Sequence, residues 1–221
     1  MSETVRPGRL IAVSGIDGAG KTTQVKELAS WLQDQGIKVQ CLLNQSMLPV
    51  RRSLDAIAQE DGFSGHLDML GADTIRLISA CAKLAALAPV QDNLQVPGMV
   101  TLVDRYTYCQ YAAVRLQKAD NETYLRRLNR ALPIPDLTLF LDVSPEIAQQ
   151  RIRKRGIDDE TLDFLTTYRA AYRSLPEYES FTVLDGDGDL DSVQRRLRTE
   201  VQRVLPAWKA DEDLGEGLSG R

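Results

Sequence analysis

The feature that most constrains this chain is a glycine-rich segment between an apolar run and a helical pattern. The segment follows the pattern G-x-x-x-x-G-K-T from Gly15 to Thr22. The preceding run at residues 10–13 is typical of a buried strand, and apolar residues recur after the segment at helical spacing as far as Gly36. A strand that passes through such a loop into a helix predicts a phosphate-binding loop.

Each residue type in this loop has a separate chemical role. The glycines permit positive φ angles and close backbone approach, so successive N–H groups can converge on phosphate oxygens. The first turn of the helix adds free N–H groups and a partial positive charge. Lys21 can then reach the terminal phosphates, and the hydroxyl of Thr22 is placed to bind Mg²⁺. The predicted nucleotide-binding residues here are Gly15, Ile16, Asp17, Gly18, Ala19, Gly20, Lys21, Thr22 and Thr23.

Composition argues against several other classes of protein. With 221 residues, 43% of them hydrophobic, the chain is long enough for one domain with a sizeable core. Its net charge of -4 provides no basic field for a nucleic-acid polymer or an anionic membrane. Cys41, Cys81 and Cys109 are far apart and His66 is the only histidine, which argues against a zinc site or a disulfide framework. Without a membrane-spanning stretch or an apolar signal region, we expect a cytoplasmic protein.

Strand and helix patterns alternate along the chain. Strands are predicted at residues 10–13, 37–43, 99–103, 135–143 and 181–185. Helices are predicted at residues 22–36, 50–58, 67–88, 145–155, 158–175 and 190–205. The alternation predicts an α/β fold, a three-layer α/β/α domain with a five-stranded parallel sheet over residues 1–205. The acidic, glycine-rich residues 206–221 are expected to form a disordered tail.

The helix at residues 67–88 is expected to bury one face in the core, while another face could line a pocket or a dimer interface. The apolar residues assigned to the core face are Leu70, Ile75, Ile78, Cys81, Leu84, Ala85 and Ala88.

The third predicted strand ends in Asp104, Arg105 and Tyr106. Ligands bind beyond the carboxyl ends of the strands in open α/β sheets, so an acid and an arginine there are well placed to meet metal and phosphate. A surface salt bridge that caps the next helix is the alternative.

A basic helix precedes Gly156 in the sequence QQRIRKRG. Arg151 and Arg155 are four positions apart and share a face, whereas Arg153 points elsewhere. Together with Lys154, these cations favour a mobile, phosphate-covering lid at about residues 151–162 over a plain charged surface.

These three motifs together resemble the thymidylate kinases among the P-loop nucleoside monophosphate kinases. The resemblance rests on GIDGAGKTTQ at 15–24, VDRY at 103–106 and PDLTLFLDVSPEIAQQRIRKRG at 135–156. It implies a P-loop kinase fold, ATP with Mg²⁺ as donor, and transfer of the γ-phosphoryl group to a nucleotide acceptor. Members of that family are commonly dimers, so a homodimer is a further expectation.

The resemblance also implies roles for individual residues. Lys21 and Thr22 would hold the donor phosphates and the metal, and Asp104 would organise Mg²⁺ and its waters. The other candidate catalytic residues are Asp17 between the acceptor sugar and the metal shell, Arg105 on the acceptor phosphate, and Arg151 and Arg155 over the donor. The candidate acceptor-binding residues are Asp17, Asn44, Ile78, Ala82, Arg105, Tyr106 and Tyr108.

The chain departs from the family pattern on the acceptor side. Residues 44–46 replace a common Arg-Glu-Pro, and Ile78 and Ala82 replace a phenylalanine and an arginine, although a shift of one residue brings in Lys83. Ala113 and Val114 stand where the family often has Tyr-Gln, and the possible replacements nearby are Tyr108, Gln110, Tyr111 and Arg115. Asp158 and Asp159 follow the lid glycine in place of the usual Asp-Arg. Each charge-assisted hydrogen bond lost in this way can be worth about 1.5 to 3 kcal/mol.

The residues that bind the donor are therefore predicted to keep the family pattern, and the residues of the acceptor pocket are predicted to depart from it. The residues leave open a modified or bulkier nucleotide acceptor, or a small molecule with a hydroxyl nucleophile for which Asp17 or Asp104 would be the base. A non-catalytic ATP-binding regulatory protein is the alternative from another class.

Overall fold

The computed structural model of the protein describes residues 7–43, 48–156 and 159–216. These residues form one five-stranded parallel sheet, in the order β2-β3-β1-β4-β5. The strands are β1 (Arg9–Ser14), β2 (Lys38–Leu42), β3 (Met99–Asp104), β4 (Leu137–Asp142) and β5 (Thr182–Asp185). The predicted fold class is confirmed.

Helices connect the strands and cover the sheet. They are α1 (Lys21–Asp34), α2 (Leu48–Glu60), α3 (His66–Leu87), α4 (Pro89–Asn93), α5 (Tyr108–Leu116), α6 (Glu122–Leu128), α7 (Pro145–Arg155), α8 (Leu162–Arg173) and α9 (Leu190–Glu216). α1 packs against α9, whereas α5 packs between α3 and α8. Helices that cover the central strands on both faces explain why Leu10, Ile11, Ala12 and Val13 of β1 are all fully buried.

The register of the central strands places two of the predicted motifs side by side. β1 and β3 are neighbours, and Val13 pairs with Asp104. The loop that follows β1 and the Asp104–Arg105 pair that ends β3 therefore leave the same edge of the sheet. The order of strands reverses around β1, which is where open α/β sheets form ligand-binding crevices.

α3 differs from its prediction in the face that it buries. Its backbone is interrupted at Gly71, where φ is 76° and ψ is 157°. The residues buried on the helix are Ile75, Arg76, Ala80, Lys83 and Leu87, and Cys81 is exposed. The buried face therefore includes two cations, which an assignment based on apolar residues could not find.

Several other elements differ from the predictions. α5 and α6 lie in a stretch to which no element was assigned, and α8 begins at Leu162, where the hydroxyl of Thr161 accepts a hydrogen bond from the N–H of Phe164. α9 runs to Glu216, so the predicted boundary at residue 205 falls within a helix. The disordered tail stays a prediction, and so does the division of the chain at that boundary.

Within the described part of the chain, no helix has the length and apolar character needed to cross a membrane. This observation tests neither the cytoplasmic location nor the homodimer, which stay predictions.

Candidate active site

The phosphate-binding loop lies between β1 and α1 and is packed tightly against α7. Gly18 has a φ of 78°, and a Cβ atom there would lie 2.3 Å from the carbonyl oxygen of Ala148. Only glycine combines this backbone conformation with so close an approach. The loop therefore rests directly on the backbone of α7.

Lys21 lies inside this loop. Its side chain is buried, and Nζ donates a hydrogen bond of 2.6 Å to the carbonyl oxygen of Ile16. Burial lowers the pKa of Lys21, the nearby charge of Arg105 lowers it further, and the resulting pKa is about 7. An ammonium group held in this way is stabilised by any anion that enters the loop, which is the role predicted for it.

Thr22 and Asp104 form a pair at the adjoining ends of α1 and β3. The Thr22 hydroxyl donates a 2.5 Å hydrogen bond to Oδ2 of Asp104. The other carboxylate oxygen, Oδ1, is buried without a hydrogen-bond partner among the described residues. An orphaned carboxylate oxygen beside a hydroxyl is a donor set that Mg²⁺ accepts, since this ion takes oxygen ligands.

This donor set is small for a metal site. No group of three or more His, Cys, Asp or Glu side chains that could hold a metal ion lies within the described ranges. In phosphoryl-transfer sites Mg²⁺ is bound by one or two protein groups, with substrate phosphates and water as its other ligands. Thr22 and Asp104 fit an ion of that kind.

Arg105 and Asp17 form an ion pair at the mouth of the loop, between NH2 of the arginine and Oδ1 of the aspartate. Burial acts to raise the pKa of Asp17, but the charges of Arg105 and Lys21 outweigh it and the pKa lies below its ordinary value. Burial acts to lower the pKa of Arg105, but Asp17 outweighs it and the pKa lies well above its ordinary value. Both groups are therefore charged at neutral pH.

The backbone of Arg105 is held in a conformation that favours glycine, with a φ of 63°. Its N–H donates to the carbonyl oxygen of Val13 in β1, and its own carbonyl accepts a 2.8 Å hydrogen bond from Nζ of Lys83 in α3. Such backbone strain persists where neighbouring structure fixes it, and it is concentrated at functional sites. These contacts aim the guanidinium at Asp17.

A cavity of about 270 Å³ lies beside Lys21, Thr22 and the Asp17–Arg105 pair. Its lining residues are Asp17, Gly18, Gly20, Lys21, Thr22, Thr23, Arg105, Arg151, Ile152 and Arg155. The structure thus brings most of the predicted donor-side residues to one space. Of the remaining predicted residues of the loop, Ile16 and Ala19 are buried in the core and Gly15 packs against Leu141 in β4.

Arg151 reaches from α7 to the turn that follows β5. Its guanidinium donates to the carbonyl oxygens of Gly186 at 3.0 Å, Asp187 at 3.3 Å and Gly188 at 2.9 Å. Arg151 therefore joins α7 to the turn after β5 in addition to lining the cavity. Arg155 lines the same cavity one turn further along α7.

The predicted acceptor residues are less well placed. Asn44 lies outside the described residues, Ile78 is half-buried and Ala82 is exposed on α3. Lys83 is buried and contacts Arg105, so the structure favours the alignment shifted by one residue, which brings in Lys83.

Tyr106 and Tyr108 belong to the core. The ring of Tyr108 lies 5.9 Å from that of Tyr106 and 4.8 Å from that of Phe181, and the Tyr106 hydroxyl donates to the carbonyl oxygen of Pro133. These contacts explain both side chains without a ligand. The structure shows both side chains packed in the core, and their acceptor contacts stay a prediction.

The sequence interpretation missed Tyr168, whereas it named Gln110 as a possible acceptor-side replacement. The Tyr168 hydroxyl in α8 donates a 3.2 Å hydrogen bond to the carbonyl oxygen of Cys109 in α5. Gln110 donates from Nε2 to the carbonyl oxygen of Ser79 in α3 at 3.0 Å. These bonds join three helices that are far apart in the chain, and no local motif signals them.

The fold and this site define the protein as a P-loop nucleotide kinase, because the glycine-rich loop with its buried lysine and the arginines of β3 and α7 line one cavity at the carboxyl ends of the central strands. The family model described as thymidylate kinase matches residues 13–197. The chain belongs to the thymidylate kinase family.

Individual relatives match over nearly their whole length. The chain is 32% identical over 199 residues to a probable thymidylate kinase of Archaeoglobus fulgidus, covering 89% of this chain and 96% of the relative. It is 28% identical to thymidylate kinases of Chromohalobacter salexigens and Caenorhabditis elegans. The alignment with the Chromohalobacter salexigens relative covers 91% of this chain and 99% of that relative. The alignment with the Caenorhabditis elegans relative covers 93% of this chain and 97% of that relative.

Proposed function

We propose that this enzyme transfers the γ-phosphoryl group of ATP to thymidylate and releases ADP and thymidine diphosphate. The observation that carries the proposal is a cavity lined by Lys21, Thr22 and the Asp17–Arg105 pair, with Asp104 bonded to the Thr22 hydroxyl. The family of the chain supports thymidylate as the acceptor.

On the donor side the loop would bind the triphosphate through its backbone N–H groups, with Lys21 turning from the Ile16 carbonyl to a phosphate oxygen. Thr22 and Asp104 would hold Mg²⁺, which supplies charge neutralisation on the phosphates when it is bound. Arg151 and Arg155 would add positive charge where the transferred group develops negative charge.

On the acceptor side Arg105 would hold the phosphate of thymidylate. An oxygen of that phosphate attacks the γ-phosphorus, the bond from the γ-phosphorus to the β–γ bridging oxygen breaks, and ADP leaves with the electron pair. A phosphate oxygen is already a nucleophile, so no general base is needed. Asp17 then serves to orient Arg105, which its ion pair already does in the free protein.

A coupled assay of ADP release tests the proposal with a panel of thymidylate, deoxyuridylate, uridylate and thymidine. We expect ADP only when both Mg²⁺ and an acceptor are present, with thymidylate among the best acceptors. ATP consumption that does not depend on an acceptor would overturn the proposal. Faster phosphorylation of thymidine than of thymidylate would assign the enzyme to hydroxyl acceptors instead.

Asp17→Asn distinguishes the two kinds of nucleophile. A general base contributes about 10² to 10⁴-fold to a rate, so a hydroxyl acceptor would make this variant nearly inactive. With a phosphate acceptor we expect a loss of less than about a hundredfold. Activity should fall mainly through a higher KM for thymidylate, since Arg105 loses its partner.

A further inference from the structure

Arg105 lies at a sharp bend of the chain, one residue beyond β3. Its N–H still extends the ladder between β1 and β3, because it donates to the carbonyl oxygen of Val13. Its φ of 63° then turns the chain away from the sheet, in a conformation that is uncommon for residues other than glycine. Since the backbone sets the direction in which a side chain leaves it, this bend determines where the guanidinium reaches.

The carbonyl of Arg105 is held by a different part of the fold, the helix α3. Lys83 is buried on that helix, and its Nζ donates a 2.8 Å hydrogen bond to this carbonyl oxygen. The bond fixes the peptide group that follows Arg105, whereas the bond to Val13 fixes the peptide group that precedes it. The backbone of Arg105 is therefore held on both sides, from α3 and from β1.

An ammonium group is a costly donor to use at this position. Burial lowers the pKa of Lys83, and the like charge of Arg105 lowers it further. A buried cation is unfavourable unless its N–H groups are bonded, and an apolar side chain of similar length would fill the same volume without that cost. Costs of this kind are concentrated at functional sites, where neighbouring structure maintains them.

We propose that Lys83 is a positioning residue for the acceptor phosphate and that it acts through the backbone of Arg105. By bonding to the carbonyl, it holds residue 105 in the conformation from which the guanidinium reaches Asp17 and the cavity. A displacement of about 1 Å in a substrate-binding group can cost about a hundredfold in rate. The inference rests on the proposed function, because it takes Arg105 to hold the phosphate of thymidylate.

Three roles of Lys83 differ in what its removal changes. A purely structural role changes stability and leaves acceptor binding as it is. A direct contact with the base or the sugar affects thymidine and thymidylate alike. A positioning role through Arg105 affects only an acceptor that carries a phosphate, and its effect disappears when the guanidinium of Arg105 is absent.

The first test compares Lys83→Met with the wild type and with Lys26→Met, a matched change at an exposed lysine of α1. Calorimetric titration gives the affinities for thymidylate and thymidine, and thermal unfolding gives Tm. We expect Lys83→Met to weaken thymidylate binding by roughly tenfold to a hundredfold, since the charge-assisted contact of Arg105 loses its geometry. Thymidine affinity should not change, and Lys26→Met should behave like the wild type.

Lys83→Gln keeps a polar group at this position, but its side chain is too short to reach the same carbonyl. It should show the same difference between thymidylate and thymidine as Lys83→Met. The result then does not depend on whether one particular variant folds.

The second test is a double-mutant cycle between Lys83→Met and Arg105→Met, with kcat/KM for thymidylate as the readout. Residues that act independently give additive effects in such a cycle, whereas residues that act through one another do not. We expect Lys83→Met to cause a roughly tenfold or larger loss in the wild-type background and little further loss when Arg105 is already replaced.

Unchanged thymidylate affinity together with a lower Tm in Lys83→Met would overturn the inference, because the ammonium would then serve the fold alone. Equal losses for thymidylate and thymidine would overturn it as well and assign Lys83 a direct contact with the acceptor. So would a full loss in the Arg105→Met background. If the wild type itself binds no thymidylate, the proposed function fails, and the inference that rests on it fails with it.

Discussion

The donor and acceptor halves of this site differ in how their charges are satisfied in the free protein. On the donor side Lys21 is bonded to the Ile16 carbonyl, and Arg151 to three carbonyl oxygens of the turn at 186–188. Arg76 on α3, the helix that carries the predicted acceptor residues Ile78 and Ala82, has no hydrogen bond or ion pair within the described residues. The donor-side cations therefore have backbone carbonyls as partners in the free protein, whereas Arg76 has none among the described residues.

This difference has a physical origin. The donor half is built around one loop, whose N–H groups and carbonyls come with the backbone whatever the neighbouring side chains are. The predicted acceptor contacts come from side chains, which change with each substitution. A family can therefore keep one donor and change its acceptor contacts.

The largest expected effect is on the donor side, in Lys21→Ala. Removing a preorganised charge that stabilises the transferred group typically reduces kcat by about 10² to 10³-fold. Stability should change little, because the buried ammonium is partly unfavourable in the free protein. Lys26→Ala, at an exposed position on the same helix, is the control and should retain full activity. Full activity in Lys21→Ala would remove the basis of the donor assignment.

Arg151→Gln should have an intermediate effect, and it should separate the two substrates. The change removes three hydrogen bonds to the 186–188 turn and one positive charge from the cavity. We expect the KM for ATP to rise roughly tenfold, because a hydrogen bond to a charged group typically stabilises a complex by about 1.5 to 3 kcal/mol. The KM for thymidylate should not change.

Arg153→Gln is the matched control for that variant, since Arg153 is exposed on α7 and does not line the cavity. It should leave both KM values unchanged. Equal effects of Arg151→Gln on the two substrates would show that the halves of the site are coupled through α7.

The smallest expected effect is an uptake of protons when ATP binds. With a pKa of about 7, Lys21 is mostly neutral at pH 8, and a bound polyanion favours its charged form. Binding at pH 8 should therefore take up as much as one proton, and the uptake should vanish below pH 6, where Lys21 is already charged. Calorimetry in two buffers of different protonation enthalpy measures it, with Lys21→Met as the reference.

The same pKa has a consequence for the free protein. In the unfolded chain Lys21 keeps its ordinary pKa of 10.5, so the unfolded state binds more protons than the folded state between pH 7 and 10.5. The contribution of this group to the free energy of unfolding should therefore rise with pH across that window. Lys21→Met should show a flatter dependence of stability on pH there.

The sequence allowed the fold and the donor half to be predicted because their signals are local. The strand, loop and helix around Lys21 are contiguous, and Asp104 and Arg105 lie at the end of an unmistakable apolar strand. The parallel sheet then fixes their proximity through the register of β1 and β3.

The acceptor half could not be predicted in the same way. Apolar periodicity assigned Cys81 to the core face of α3, yet Cys81 is exposed, while Arg76 and Lys83 are buried. Hydrophobicity is informative about a buried face only when that face packs against apolar neighbours. The buried face of α3 includes Arg76 and Lys83, so apolar periodicity alone could not find it.

Tyr106 and Tyr108 are predicted acceptor residues that the structure buries in the core. Tyr106 and Tyr108 follow the Asp104–Arg105 pair directly, so proximity in sequence favoured a role in the acceptor pocket. Their rings instead join the core beside Phe181, which is distant in sequence. Neighbours along the chain point in different directions, and only tertiary packing decides which one reaches a ligand.

The contact between Gly18 and the carbonyl of Ala148 restricts how α7 can move relative to the phosphate-binding loop. Because backbone meets backbone there, the loop and the first turns of α7 form one rigid pivot. Arg151 lies about 4 Å beyond that pivot along the helix axis and Arg155 about 10 Å beyond it. A rotation of α7 about this contact would carry Arg155 through more than twice the arc of Arg151.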